Sequence, residues 1–254
     1  MIGLRNASVN GSGRRTTSYR ILRAVSSPAA TRRTAAPSPR VRVRRVPKKA
    51  SYERDAVKAI LDEALVAHLG FSHEGQPFVI PTLHARLGEE VYVHGSAASR
   101  TLRALGAALP ACLTVTLLDG FVFARSMFEM SANYRSVVVL GEARAVTEPD
   151  EKLRALEAFS EHVLPGRWAE ARKPTRKELK ATSVLALPLD EASAKISTGG
   201  PDDGESDDAA LDVWAGHVPI RLAADEPVPC PHLRPGIPLP ADIAGYQRRL
   251  TPSR

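Results

Sequence analysis

Apolar residues recur with a period of two through most of the middle of this chain, and with a helical period only in a few segments. Val57, Ile60, Leu61, Ala64 and Leu65 mark one face of a helix that begins near Ser51 as N-cap, with Glu53 and Asp55 in its first turn. A strand pattern follows at 66–72. His73-Glu74-Gly75-Gln76 reads as a turn and 77–87 as a second strand, so the two form a hairpin. Gly88-Glu89-Glu90 leads into a strand at 91–94 that breaks at Gly95. A helix-like segment over about 99–107 carries Leu102, Arg103 and Leu105. Residues 111–118 alternate as a strand, Asp119-Gly120 reads as a tight turn into 121–125, and 136–147 is a long buried strand. Leu153, Leu156, Phe159 and Val163 give an amphipathic helix over 150–163, and a short helix near 175–181 precedes a strand at 182–189. From Pro227 onward the proline spacing excludes long elements.

Six or so strands with antiparallel-type turns and a few helices at the edge predict a mainly β protein, a small barrel with peripheral helices. Strict alternation of strand and ten-residue helix is absent, as are GxGxxG and GxxxxGK[ST], so a doubly wound nucleotide-binding fold is not expected.

Charge divides the chain. Its 254 residues carry a formal +7, yet residues 1–52 hold no Asp or Glu and 13 of the 35 Lys and Arg. The remainder has 22 basic residues against all 28 acidic ones, a net of −6, so nucleic-acid binding by the folded part is not expected. Residues 1–48 are rich in Ser, Thr, Ala, Pro and Arg and too poor in large apolar groups to offset their ordering entropy. They read as a disordered basic extension, a transit peptide or the product of an upstream start codon. The expected folded domain is 49–226, and 227–254 forms a Pro-rich tail. Cys112 and Cys230 match no zinc or thioredoxin spacing, and Cys112 lies in an apolar run as a small core residue. No apolar run reaches membrane-span length and no secretory signal is evident, so a cytoplasmic location is expected.

The richest chemistry lies at 91–100, Val-Tyr-Val-His-Gly-Ser-Ala-Ala-Ser-Arg. A strand, a small-residue turn and a helix start would gather backbone N–H groups at the positive end of a helix dipole. Ser96 and Ser99 add hydroxyl donors and N-caps, and His94 and Arg100 add side chains suited to phosphate oxygens. An ordinary capped helix after a strand accounts for the same residues. Arg125 to Arg135, read as an eleven-residue loop with Arg125, Asn133, Tyr134 and Arg135, could meet a ligand, a second subunit or only solvent. His84 and His94 could approach one another on neighbouring strands, without a third metal ligand at zinc spacing. His162 suits a helix C-terminus and Trp168 suits packing. Lys195 could bind an anion, and the acidic stretch 201–209 reads as a solvated loop. Trp214 to Pro219 could cover a flat ring or dock the C-terminal region.

Taken together, Gln76 to Thr82, Val91 to Arg100, Asn133 to Val138, His162 to Trp168, Ala192 to Lys195 and Trp214-Ala215-Gly216 resemble the pyridoxamine 5′-phosphate oxidase-related flavin proteins, in particular the nitroimidazole-resistance branch. The resemblance spans about 46–240. It implies a split β-barrel that binds FMN at a homodimer interface and acts as an oxidoreductase on a small molecule, with NAD(P)H as a candidate electron donor. It implies that Val79, Ile80, Pro81 and Thr82 run along the isoalloxazine, and that His94, Gly95, Ser96, Ser99 and Arg100 surround the phosphate. Lys195 and Trp214 would approach from the partner subunit, and His94 would be linked to reductive chemistry. The tail lacks the basic residues with which the vitamin B6 oxidases hold substrate phosphate, so pyridoxamine phosphate oxidation is not expected. The alternative on the same barrel is a non-catalytic flavin- or haem-binding protein.

Overall fold

Among the described residues, nine strands form one antiparallel sheet that closes on itself. The computed structural model describes residues 35–99, 102 and 105–246. They belong to one of two units of the chain, Arg33–Ser253; the other, Met1–Arg32 with Arg254, lies outside the described residues. In order the elements are β1 (Ala50–Ser51), α1 (Arg54–Glu63), β2 (Val66–His73), β3 (Gln76–Leu87), β4 (Glu90–Ser96), β5 (Ala107–Phe123), β6 (Ser131–Ala145), α2 (Pro149–Val163), α3 (Arg167–Glu170), α4 (Arg176–Ala181), β7 (Thr182–Pro188), β8 (Glu191–Ser197), β9 (Gly216–Pro219) and α5 (Ala241–Ala244).

The strand order β6-β7-β4-β3-β2-β5 becomes a ring because β5 also pairs with β6. β6 is shared: Tyr134 to Leu140 pair with β8, whereas Arg144 and Ala145 pair with β7. This exchange of partner splits the barrel. The fold is a split β-barrel with helices at its periphery. Leu69 and Phe71 of β2, Val91 and Val93 of β4, Leu113 and Val115 of β5, Val137 and Val139 of β6 and Leu185 of β7 fill its interior, and α1 adds Val57, Ile60 and Leu61. A smaller cluster packs Ala155 and Phe159 of α2 on Ala85, Tyr92, Val184 and Ala186, which face out of the barrel.

The end of α1 has no glycine cap. His84, fully buried on β3, donates from Nε2 to Leu61 O at 2.9 Å, and His162 of α2 donates from Nε2 to Ala64 O at 2.8 Å. A carbonyl can only accept, so each Nε2 carries hydrogen. The two rings, 5.4 Å apart, satisfy carbonyls that a helix C-terminus leaves open. His162 thus serves the dipole of α1 rather than that of its own helix. Arg135 ties the same helix end to the barrel: its guanidinium donates to both oxygens of Glu63 and to both of Asp119, the latter at 2.7 and 2.9 Å.

Several sequence expectations need correction. Asp119-Gly120 does not turn: β5 runs through it with a bulge between Leu118 and Gly120. Glycine is required there because a Cβ would lie 2.6 Å from Val218 O on β9. β5 begins at Ala107, which shortens the helix expected over 99–107; of its described residues, Leu102 and Leu105 are helical. Asn133, Tyr134 and Arg135 belong to β6, not to a loop. Asp203, placed in a solvated acidic loop, is 1% exposed and accepts from Arg125 Nη1 at 2.8 Å and Arg125 N–H at 2.6 Å. Cys112 is half-buried on the outer side of β5, not in the core. Within the stretch read as an extension, Val41 is buried, Val43 N–H donates to the Tyr52 hydroxyl at 2.8 Å, and Arg40 pairs with Glu191. No helix among the described residues is long and apolar enough to cross a membrane.

Leu113 is an inward residue with almost no exposure. Leu113→Ala is expected to cost about 2–5 kcal/mol in urea unfolding. Val79→Ala, on the exposed outer side, is expected to stay within about 0.5 kcal/mol.

Candidate functional site

β3 and β4 pair only from His84↔Val93 to Leu87↔Glu90. Beyond that they part, because β4 continues along β7 to Ser96 while β3 stays with β2 back to Gln76. Val79–Thr82 and Gly95–Ser99 therefore flank one wedge. Its β3 wall is an unpaired strand edge among the described residues. The two-residue turn Glu74-Gly75, both at positive φ, makes His73 and Gln76 a hydrogen-bonded pair. Alternation then turns the backbone groups of Pro77, Val79, Pro81 and Leu83 away from β2, toward the wedge. Pro77 and Pro81 have no N–H to leave unsatisfied, which is why prolines are tolerated in this strand. What remains on the edge is Val79 N–H, Leu83 N–H and carbonyl oxygens.

Side chains sort by the same parity. Ile80 and Thr82 lie on the barrel side with Leu69 and Ala67, and Val79 and Pro81 lie outside. The Thr82 hydroxyl donates to Leu83 O at 3.1 Å.

Across the wedge, the corner after β4 is partly committed to the chain. Ala97 N–H donates to Ala181 O, Ser99 N–H to Ser96 O, Ala98 N–H to Ser96 Oγ at 3.2 Å and Leu102 N–H to Ser99 Oγ at 3.4 Å. Both serines thus act as caps, while each hydroxyl keeps its own hydrogen to donate. Gly95 leaves room for Leu102, since an added Cβ would sit 2.8 Å from Leu102 Cδ1 and that side chain would have to shift. Arg100 lies outside the described residues. His94 packs its ring on Phe159, centroids 4.3 Å apart, and its buried Nδ1 has no hydrogen-bond partner among the described residues. Burial holds this imidazole below its usual pKa. His84 pairs with Val93, so His94 faces the other side of the sheet, and the two histidines are not brought together.

Lys195 and Trp214 lie elsewhere. Lys195 is within β8, opposite Ser136, and β3 to β8 is four strand spacings, roughly 19 Å along the sheet. Trp214 is exposed, its ring 6.3 Å from that of Phe123 and folded over Gly216. Within one copy neither reaches the wedge. Arg135 is held by its two carboxylates, and Arg125 pairs with Asp203 through Nη1.

One residue escaped the sequence reading. His68 sits outward in the middle of β2, opposite Pro81 on β3 and Thr114 on β5, among exposed Val66, Val79 and Leu83. The signal was present: a lone imidazole and Gly70 occupy successive outward positions of an otherwise regular strand.

The chain matches the pyridoxamine 5′-phosphate oxidase family over residues 53–196. Its structure is similar to that of the flavocytochrome Anf3 from Azotobacter vinelandii, with 42% identity, TM-score 0.79, and coverage of 84% of this chain and 99% of that one. It is also similar to an FAD and haem binding protein from Mycobacterium smegmatis, with 40% identity, TM-score 0.74, and coverage of 78% and 96%. A 5-nitroimidazole antibiotic resistance protein from Bacteroides thetaiotaomicron shares the fold at 18% identity and TM-score 0.50, over 58% and 86% of the two chains. No curated protein sequence matches this chain.

The His94 environment makes a pH prediction. Its folded pKa lies below the usual 6.5, so the unfolded chain takes the proton first as pH falls. Stability from this group is complete above pH 6.5 and is lost as pH drops toward the folded pKa. Denaturant titrations from pH 7.5 downward are expected to show this loss, and His94→Phe to show a shallower one.

Proposed function

Because the chain belongs to the pyridoxamine 5′-phosphate oxidase family, we propose that it is a flavin- and haem-binding redox protein, an oxidoreductase with FAD as its flavin. The observation that carries this reading is similarity over 84% and 78% of this chain, at 40% identity or above, to two proteins named for both kinds of cofactor. FAD is chosen because the mycobacterial protein is named for it. FMN, implied by the sequence resemblance, carries the same tricyclic ring.

The residues present fit such groups. The wedge between β3 and β4 sets unpaired main-chain donors and acceptors beside apolar Val79, Pro81 and Leu83, which suits a flat ring with a polar rim. Ser96 and Ser99 retain hydroxyl hydrogens for a phosphate, and Arg100 follows them. The outer face of β2, β3 and β5 provides an apolar floor for a porphyrin, and the chain has exposed imidazoles to meet iron. When bound, a flavin supplies two-electron exchange and a haem one-electron exchange. The protein's part is placement. Val79 N–H and Leu83 N–H would stabilise negative charge at the ring's polar rim, and neutral His94 would offer a ring nitrogen to a proton. Lys195 and Trp214 are assigned to the neighbouring site of a second copy, since their own wedge is out of reach. A homodimer packed on the exposed apolar face is part of the proposal, as is a small-molecule substrate, with NAD(P)H as electron donor.

The absorption spectrum of the purified protein tests this reading. Flavin bands together with a Soret band are expected, and mass spectrometry of the released flavin separates FAD from FMN. A colourless protein that takes up neither cofactor would overturn it. Arg100→Ala is expected to weaken flavin binding by about 1.5–3 kcal/mol in a fluorescence titration, the scale of a charge-assisted hydrogen bond.

A further inference from the structure

Resting on the haem half of that reading, we propose that His68 is an axial ligand of the haem iron, on the outer face of β2 beside the bare floor at Gly70. The first support is position. His68 is in the middle of a strand paired on both sides, so its backbone is rigidly placed. Its nearest outward positions are Val66 and Gly70 on its own strand, Val79, Pro81 and Leu83 on β3, and Cys112, Thr114 and Thr116 on β5. None of these bears a charge. His68 has no hydrogen bond or ion pair with a described residue, which leaves both ring nitrogens available.

The second support is Gly70, which the fold does not explain. Its φ is not positive, and an added Cβ would find Cys112 O at 3.5 Å and Cys112 Cβ at 3.8 Å, ordinary contacts. Glycine in a strand interior costs stability, and one that neither backbone nor packing requires marks close approach of another group. Here it clears the surface next to the imidazole.

The other donors are engaged or poorly placed. His84 and His162 use Nε2 on the carbonyls at the end of α1. His94 lies against Phe159 under α2. His73 is at the hairpin turn, His232 is in the Pro-rich tail and His217 is on the terminal strand β9. Burial pushes the Cys112 thiol up, so it stays protonated and is a weak ligand. The bond to iron is dative: a neutral imidazole gives a nitrogen lone pair, and no proton or electron moves.

The test is hemin titration of the full-length apoprotein, followed by ferric and ferrous absorption spectra, with flavin content and thermal melting as checks on folding. The wild type is expected to give a Soret band. His68→Gly is expected to lose or shift it, added imidazole to restore it, and His217→Ala to leave it unchanged. Gly70→Val, whose Cβ meets only ordinary contacts, is expected to melt as the wild type does but take up less haem. An unaltered His68→Gly spectrum, a loss in His217→Ala instead, or undiminished haem uptake by Gly70→Val would overturn the assignment. A wild-type protein with no Soret band would overturn the haem reading itself, and the ligand assignment with it.

Discussion

The register of β2 against its neighbours is the constraint on which the rest depends. Ala67, Leu69 and Phe71 must face the barrel interior, where Leu113, Val115 and the α1 residues meet them. A slip of one residue would expose all three and bury Val66, His68 and Ser72. The cost of that exchange, several buried apolar side chains at about 1.5–3 kcal/mol each, exceeds what other pairings could return. Because the inner face is fixed in this way, the outer face is fixed too. His68, Gly70, Val79 and Pro81 hold their places through interactions made on the opposite side of the sheet.

The same constraint separates stability from function. The interior and the α2 cluster carry the apolar burial, and the end of α1 is secured by His84, His162 and Arg135. None of these groups is free for chemistry. The wedge and the outer face show the opposite character: an unpaired strand edge, exposed Val79 and Leu83, and prolines where N–H groups would otherwise be left bare. Such surface is a liability in an isolated barrel. Its retention is intelligible if flat cofactors and a second copy cover it.

Much of the barrel was legible because its strands alternate strongly. The β2–β3 hairpin, β4 and the α2 stripe follow from Leu69, Phe71, Val91, Val93 and Phe159 with their turns. β8 was not legible, because two of its three inward residues, Ala192 and Ala194, are too small to give an apolar signal beside Ile196. Asp119-Gly120 has the composition of a turn, and only the approach of Val218 from a strand about a hundred residues later shows that the glycine serves a bulge. Asp203 looked solvated because its partner Arg125 is distant in sequence. The site divides similarly. Segments 79–82 and 94–99 could be identified separately, but their facing across one wedge depends on where β3 and β4 part, which no local pattern encodes. His68 went unremarked because one polar residue per pair is what a half-exposed strand normally shows.

The corner after β4 joins the two readings that its residues allowed. Capping and anion binding look like rivals, since each asks for Ser96 and Ser99. They use different parts of the hydroxyl. Oγ accepts from Ala98 N–H and Leu102 N–H through a lone pair, and its hydrogen is left to point elsewhere. Accepting a hydrogen bond also polarises the O–H, which makes it a better donor. A capped corner is therefore held in place before any ligand arrives, and fewer rotamers are lost on binding. The caps that make the corner an ordinary helix start are what would make it a prepared anion site.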